Sequence, residues 1–353
     1  MTEDIYRNLQ ERLDTYSVGF PATDSGVEIK ILKVLFSPED AEMFLCMTPK
    51  LEKAETIAQR MDKTVQSTTE QLEAMTDRGL LFRLKKGSLC RYGAIPFVHG
   101  LFEFQVKNIS IYLAELMEQY HKDGFNKAFE NSGGMFLRTV PVQESVDVGH
   151  NVAAYDDAVA MLKEKDLIVV TECICRKQKQ TVGKGCGKAM EACFMFGSMG
   201  QYYIDKGMGR EVDVDEAITL LTKAQDDGLV TQPATTQNPA GMCNCCGDCC
   251  GVLRSLRSYP RPAEMVYSNH FAAVDPDMCT GCETCLERCQ MDAIALSEEE
   301  VAEINLDRCI GCGLCVTTCP TEAIQLKLKE NLYTPPASTA EQMMVMAQKR
   351  GFI

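Results

Sequence analysis

Eight cysteines in the C-terminal third fall into two runs of one spacing. Cys279-x2-Cys282-x2-Cys285-x3-Cys289 is followed by Cys309-x2-Cys312-x2-Cys315-x3-Cys319-Pro320. A C-x2-C-x2-C segment folds a tight loop around one corner of an iron–sulfur cube, so three thiolates meet three irons. The fourth Cys points away and ligates the other cluster. The spacing therefore assigns Cys279, Cys282, Cys285 and Cys319 to cluster I, and Cys309, Cys312, Cys315 and Cys289 to cluster II. Gly281, Gly311 and Gly313 suit these loops, because backbone N–H groups must approach cluster sulfurs without a side chain in the way. Those contacts and the local burial tune the reduction potential. Zinc is the competing chemistry, but its sites use C-x2-C pairs with wider gaps.

The repeat extends beyond the ligands: Met291-Asp-Ala-Ile-Ala-Leu296 after the first run is answered by Thr321-Glu-Ala-Ile-Gln-Leu326 after the second. Each half reads as loop, short helix and strand. Over roughly 55 residues this region resembles a bacterial two-[4Fe–4S] ferredoxin domain. It departs from that pattern at Gln290, where a Pro is expected after the fourth Cys; Pro320 is present in the second half. Residues 271–325 carry eleven acids against Arg288 and Arg308, a net of −9. Such a face suits steering toward a basic redox partner, and equally a plain solvated surface.

Nine further cysteines occupy residues 166–262. Cys173-Ile-Cys175-Arg176 follows the strand-like Leu167–Thr171, and Cys186 and Cys193 lie in and beyond a Lys/Gly-rich loop. Past a helical stretch (Val214 to Ala224) and a Pro/Thr/Gln linker comes Cys243-Asn-Cys245-Cys246-Gly-Asp-Cys249-Cys250. Crowded thiolates repel unless a cation neutralises them, so nine together imply metal. Cys173, Cys175, Cys186 and Cys193 suggest one set; Cys243, Cys245, Cys246, Cys249 and Cys250 suggest another. Ligand sets that cross between the segments stay open, because adjacent Cys245 and Cys246 do not readily reach one small cluster. One or two additional [4Fe–4S] clusters are expected, with zinc the lesser fit. Arg176, Lys177, Lys179, Lys184 and Lys188 form a basic patch that would offset a thiolate-bound cluster, receive an anionic substrate, or simply face solvent.

Other elements must position these thiols. Residues 1–105 read as a winged-helix-like domain. Ser37-Pro38-Glu39-Asp40 is a helix start, Lys53–Met61 and Val65–Asp77 are helical, and Leu80–Leu84 and Leu89–Tyr92 form a hairpin around Lys85–Ser88. Its candidate recognition helix, Thr64–Arg78, carries Glu70, Glu73 and Asp77, and residues 1–100 hold 13 basic against 15 acidic side chains. Phosphate contacts need Lys and Arg, so DNA is disfavoured as a partner. Residues 106–165 read as a helical linker and scaffold without chemistry of its own. Helices are expected at Val106–His121 and Asp156–Glu164, a Gly-rich break at Ser132–Gly134 and an extended piece at Pro141-Val142. The tail 329–353 ends in a helical pattern from Ala340 to Arg350, free either to pack on its own core or to clamp a neighbour.

The expected class is thus α+β: winged-helix-like residues 1–105, scaffold 106–165, Cys-rich metal domain 166–262, dicluster ferredoxin 271–328 and tail. That order resembles multidomain 4Fe–4S ferredoxin-type proteins of anaerobic prokaryotes, which implies electron transfer and names no substrate. The chain has 353 residues, net charge −14 and 19 Cys. An odd Cys total, a charged N-terminus without an apolar h-region and no long apolar run point to a reducing, cytoplasmic setting, without disulfides or a membrane span. No phosphate-binding glycine loop follows a strand. His99, His121, His150 and His270 are scattered and read as structural. The leading expectation is an electron-wiring subunit passing low-potential electrons to or from a partner oxidoreductase, more carrier than stand-alone enzyme. The alternatives are a redox sensor acting through DNA, or thiol chemistry at an open iron site.

Overall fold

The computed structural model describes residues 2–130, 136–145 and 153–353. The expected Gly-rich break at 132–134 and His150 lie outside them. The helices are α1 Thr2–Asp14, α2 Val27–Leu35, α3 Pro38–Cys46, α4 Ala54–Met61, α5 Val65–Asp77, α6 Ile111–Tyr120, α7 Asn126–Glu130, α8 Ala158–Lys163, α9 Ile174–Thr181, α10 Gly197–Asp205, α11 Val214–Asp226, α12 Gly251–Ser258, α13 Thr284–Arg288 and α14 Thr339–Lys349. The strands are β1 Phe82–Lys86, β2 Leu89–Gly93, β3 Ile168–Glu172, β4 Glu191–Phe196, β5 Gly209–Val212, β6 Val230–Pro233, β7 Gly241–Cys245, β8 His270–Val274, β9 Ile294–Leu296, β10 Ala302–Ile304 and β11 Ile324–Leu328.

At the N-terminal end, α3–α5 lead into the β1–β2 hairpin, which a bridge from Glu52 to Tyr92 extends. Ser37 and Asp40 close a capping box at α3, with Pro38 in the first turn, as the sequence predicts. Arg78 reaches back from the end of α5 to Asp40, making two bonds of 2.7 Å. This domain is clamped to the middle one. Tyr202 of α10 donates to Thr76 O and Leu81 O, Arg83 pairs with Asp205, and Lys206 pairs with Asp77.

The middle domain is built on a five-stranded sheet of order β5-β3-β4-β7-β6, every neighbouring pair antiparallel. Side chains alternate across a strand, so its two faces differ. One face, with Ile168, Val170, Phe194, Phe196 and Met242, buries itself against α8 and α11. The other carries Val169, Cys193, Met195 and Cys245 into the main core shared with the N-terminal helices. Only β3 is anticipated as a strand. The Cys-Asn-Cys run itself is β7, and its pairing with β4 sets Cys193 opposite Cys243.

Two readings of the connecting segments need correction. Residues 106–165 are more than a spacer: α6 starts at Ile111, because Ser110 caps it by accepting from Leu113 N, and its Glu118 joins Lys179 and Arg254. The extended piece around Pro141 runs along β6, with Arg138 N on Pro233 O and Val140 N on Thr231 O. The Pro/Thr/Gln stretch after β6 is no solvated linker, since Thr235 and Thr236 are buried. The tail packs on its own chain: Met346 is buried, Gln342 donates to Phe136 O, and Arg350 reaches Ser17 O and Asp14. No helix among the described residues is long and apolar enough to cross a membrane.

Candidate metal centres

In the C-terminal module each half is a cysteine loop followed by a short strand. The two halves are tied by the β8–β11 and β9–β10 pairs. Cys279, Cys282, Cys285 and Cys319 line one cavity; Cys289, Cys309, Cys312 and Cys315 line another. Each quartet draws its fourth member from the opposite run, as the spacing predicts. Main-chain amides point at the sulfurs: Ala302 N to Cys279 Sγ at 3.4 Å, Ala293 N to Cys289 at 3.3 Å, Ala272 N to Cys309 at 3.4 Å. Four convergent thiols with amide donors fit a thiolate-ligated cube.

Gly281, Gly311 and Gly313 all adopt positive φ, at 66°, 67° and 77°. A Cβ at Gly281 would lie 2.5 Å from Glu300 O, and at Gly311 2.1 Å from His270 O. Backbone crowding at a left-handed turn is thus a sufficient reason for glycine here.

The two quartets differ in exposure. Each has one buried member, Cys285 or Cys315, but only the first has an exposed one, Cys282. Thr284 hydrogen bonds lower the Cys282 thiol, while burial pushes Cys312 up to about 12. Cluster II faces the rest of the chain: Cys312 O accepts from Val142 N, and Ser145 abuts Gly313. Both module arginines point the same way, Arg288 onto Gln225 O and Asp226 O and Arg308 onto Arg257 O and Tyr259 O. Of the acids, Asp292 pairs with Arg257 and Asp307 with Arg261. The others, Glu283 beside Cys282 among them, are exposed and make no salt bridge among the described residues.

The middle cysteines are regrouped relative to the two sequence sets. Six of them line one cavity and perturb one another in a ring, running Cys173, Cys175, Cys250, Cys245, Cys243, Cys193 and back to Cys173. Cys186 leaves the first set, and Cys246 and Cys249 leave the second, to form a trio of their own. Strand alternation is the reason. Cys243 and Cys245 share one face of β7, whereas the adjacent Cys246 begins the next turn and faces Ala192, Ala224 and Leu229.

Two ring members are helix N-caps, Cys173 for α9 and Cys250 for α12. Neighbouring ring thiols hold both thiols well below the ordinary range, although burial opposes it. The ring lines a cavity of about 70 Å³ that also touches His99, Glu103 and His121.

An arginine and a histidine meet the ring. Arg176 is 2 % exposed, and its Nη1 donates to Asn244 O at 3.1 Å. Its Nε and Nη2 have no hydrogen-bond partner. Burial opposes the guanidinium charge, but Cys173, Cys193, Cys245 and Cys246 raise its pKa above the ordinary value. Buried N–H donors without partners, surrounded by thiols, fit a site that carries thiolate and metal. Three others of the basic patch are spent elsewhere, Lys177 on Glu172, Lys179 on Glu118 and Lys188 on Asp248, and Lys184 is exposed.

The second group is His99, which reads as structural in the sequence. It adopts φ 59° in the Phe97–Leu101 turn and lines the ring's cavity with Cys243. Burial lowers its pKa, but Cys243 and Glu103 outweigh this and raise it. Glu103 accepts from Gly100 N, and burial pushes its carboxyl up to about 7. No spacing flags His99, because it lies far in sequence from every ring cysteine.

Residues 272–326 match the family model of the 4Fe-4S dicluster domain. No curated protein and no solved structure shows significant similarity to the chain. The C-terminal module is therefore an iron–sulfur region of the 4Fe-4S dicluster type, and a general role in iron–sulfur electron transfer goes with it.

Proposed function

We propose that this chain is an electron-wiring protein. It exchanges low-potential electrons with a partner at the exposed end of the ferredoxin module, and relays them between that module and a further iron–sulfur centre at the six-thiol ring. When bound, the clusters supply one-electron carriers. The chain's own residues set their exposure, spacing and hydrogen bonding.

The observation that carries this reading is the contact at Gln290. Its Oε1 accepts from Gly247 N at 2.7 Å, joining the residue after Cys289 to the residue after Cys246. The departure from Pro thus supplies a polar side chain that bonds the second cysteine region. The charge distribution supports the same orientation. Cationic groups of the module face inward, and the acids around Cys282 stay free to steer a basic redox partner.

The sensor alternative draws no such support. The exposed face of α5 presents Glu70 and Asp77, and Arg78 is spent on Asp40. Iron and acid-labile sulfide per chain after anaerobic purification, with redox-titrated EPR, test the proposal. We expect about twelve iron or more per chain, at four per cube. About eight would confine iron to the ferredoxin module and sink the wiring reading. Specific DNA binding that switches on reduction would replace it with the sensor.

A further inference from the structure

Cys186, Cys246 and Cys249 form a group of their own beside the ring, whose cavity Cys249 also lines, and their spacing differs in kind. Their three Sγ atoms all lie within 4.8 Å of one another, with Cys186 and Cys246 at 3.8 Å. Among the described residues no other three Cys, His, Asp or Glu ligand atoms come so close together. That includes the two ferredoxin quartets, whose region matches a dicluster iron–sulfur family, so thiols set for a cube are spaced more widely in this same molecule. A single ion bound tetrahedrally at about 2.3 Å from each thiolate holds the sulfurs about 3.8 Å apart. The Cys186–Cys246 pair has that separation, and no pair in the trio exceeds 4.8 Å.

The trio is also braced. Cys246 and Cys249 form a C-x2-C turn closed by Cys250 N on Cys246 O. The loop that brings Cys186 is pinned at its far end, where Ala189 N donates to Asp227 and Met190 O accepts from Cys173 N. Cys246 and Cys249 are buried against Ala192, Ala224 and Leu229, while Cys186 stays half-exposed. Asp248 lies between the two ligands in sequence but points out to Lys188, at 3.8 Å. The three thiols therefore leave one tetrahedral position toward the Cys186 side.

We infer that Cys186, Cys246 and Cys249 form a three-thiolate site for one thiophilic divalent ion of the zinc class, separate from every iron–sulfur cluster. Its fourth position is open to water or an external thiol. The geometry thus assigns zinc where cysteine content alone favours another iron–sulfur cube, and the assignment is independent of the wiring proposal.

The test is elemental analysis of the full anaerobically purified chain, unmodified and as Cys186→Ser. The half-exposed ligand is replaced first because the buried ones hold the turn. We expect about one zinc per chain, lost in Cys186→Ser with iron, sulfide and EPR unchanged. A fall of about four iron per chain would overturn the proposal and make the trio part of a cube. No change in either metal would overturn it as well. If Cys186→Ser does not fold, cobalt(II) exchanged into the unmodified chain decides. Intense thiolate-to-cobalt absorption that added zinc abolishes is expected, and its absence overturns the site.

Discussion

The two cysteine regions of this protein solve the same problem in opposite ways. In the ferredoxin module, three of each four thiols come from one short loop, and the fourth from the other run of an internal repeat. In the middle domain, the ring thiols come from β4, β7, the N-cap and first turn of α9 and the N-cap of α12, and the adjoining imidazole comes from the N-terminal part of the chain. A loop that wraps a cube needs little of the fold. A ring assembled from strand register and helix ends exists only once the five-stranded sheet has formed. The first arrangement suits an exposed end that meets partners, and the second a buried centre whose surroundings stay constant.

Breaking the buried region should give the largest effects. Arg176→Met removes the guanidinium between ring and trio. We expect loss of metal from the middle domain while about eight iron persist in the ferredoxin module, measured by iron and sulfide per chain. If thiolate is present there, removing the buried cation should also destabilise the fold by about 3–5 kcal/mol, read from chemical denaturation. Retention of all metal would mean that Arg176 is merely packed. His99→Leu removes a group that lines the ring's cavity without being part of the ring. Loss of a side chain that orients metal ligands weakens metal retention about 10- to 100-fold, and a chelator challenge followed by EPR would measure it.

The connection between the regions is tested more gently by Gln290→Pro, which restores the usual ferredoxin residue. It should cost about 1 kcal/mol, the worth of one hydrogen bond. Both ferredoxin EPR signals should survive, while electron exchange between the regions slows in rapid-freeze experiments. Unchanged exchange would remove Gln290 from the relay.

A pH effect distinguishes the scaffold. Burial would raise the Glu118 carboxyl, but Lys179 and Arg254 outweigh it and hold its pKa down to about 2. A depressed folded pKa means that this contribution is complete above the unfolded value of about 4.3 and is lost as pH falls toward 2. Glu118→Gln should therefore be less stable than the parent at pH 6, and the gap should close between pH 4 and 2 in thermal unfolding. The smallest effect is expected at the surface. Glu283→Gln, next to exposed Cys282, should slow association with a cationic redox partner by a few-fold at low salt and little at high salt.

Much of the ferredoxin module is legible from spacing alone, because its ligands are local and repeat. The cross-ligation of Cys289 and Cys319 follows from the repeat as well. The capping box at Ser37 and the hairpin after α5 are legible for the same reason, since turn and cap chemistry act over a few residues. The middle domain is only half legible. Nine crowded cysteines announce metal, but their partition depends on which face of β7 each one occupies, and β7 itself carries no clear strand pattern. His99 and Glu103 are invisible in the sequence because their partners lie in another domain.

By itself, then, the sequence determined a 4Fe-4S dicluster module with two cysteine quartets and many unpaired acids, and a second region of nine crowded thiols. Only the tertiary structure decided that those nine divide six and three, that Arg176 and His99 meet the ring, and that cluster II faces inward. The physical reason is the range of the interactions. Ligand loops, caps and turns are written in neighbouring residues, whereas strand register, helix-end placement and domain docking are settled by burial between segments far apart in the chain.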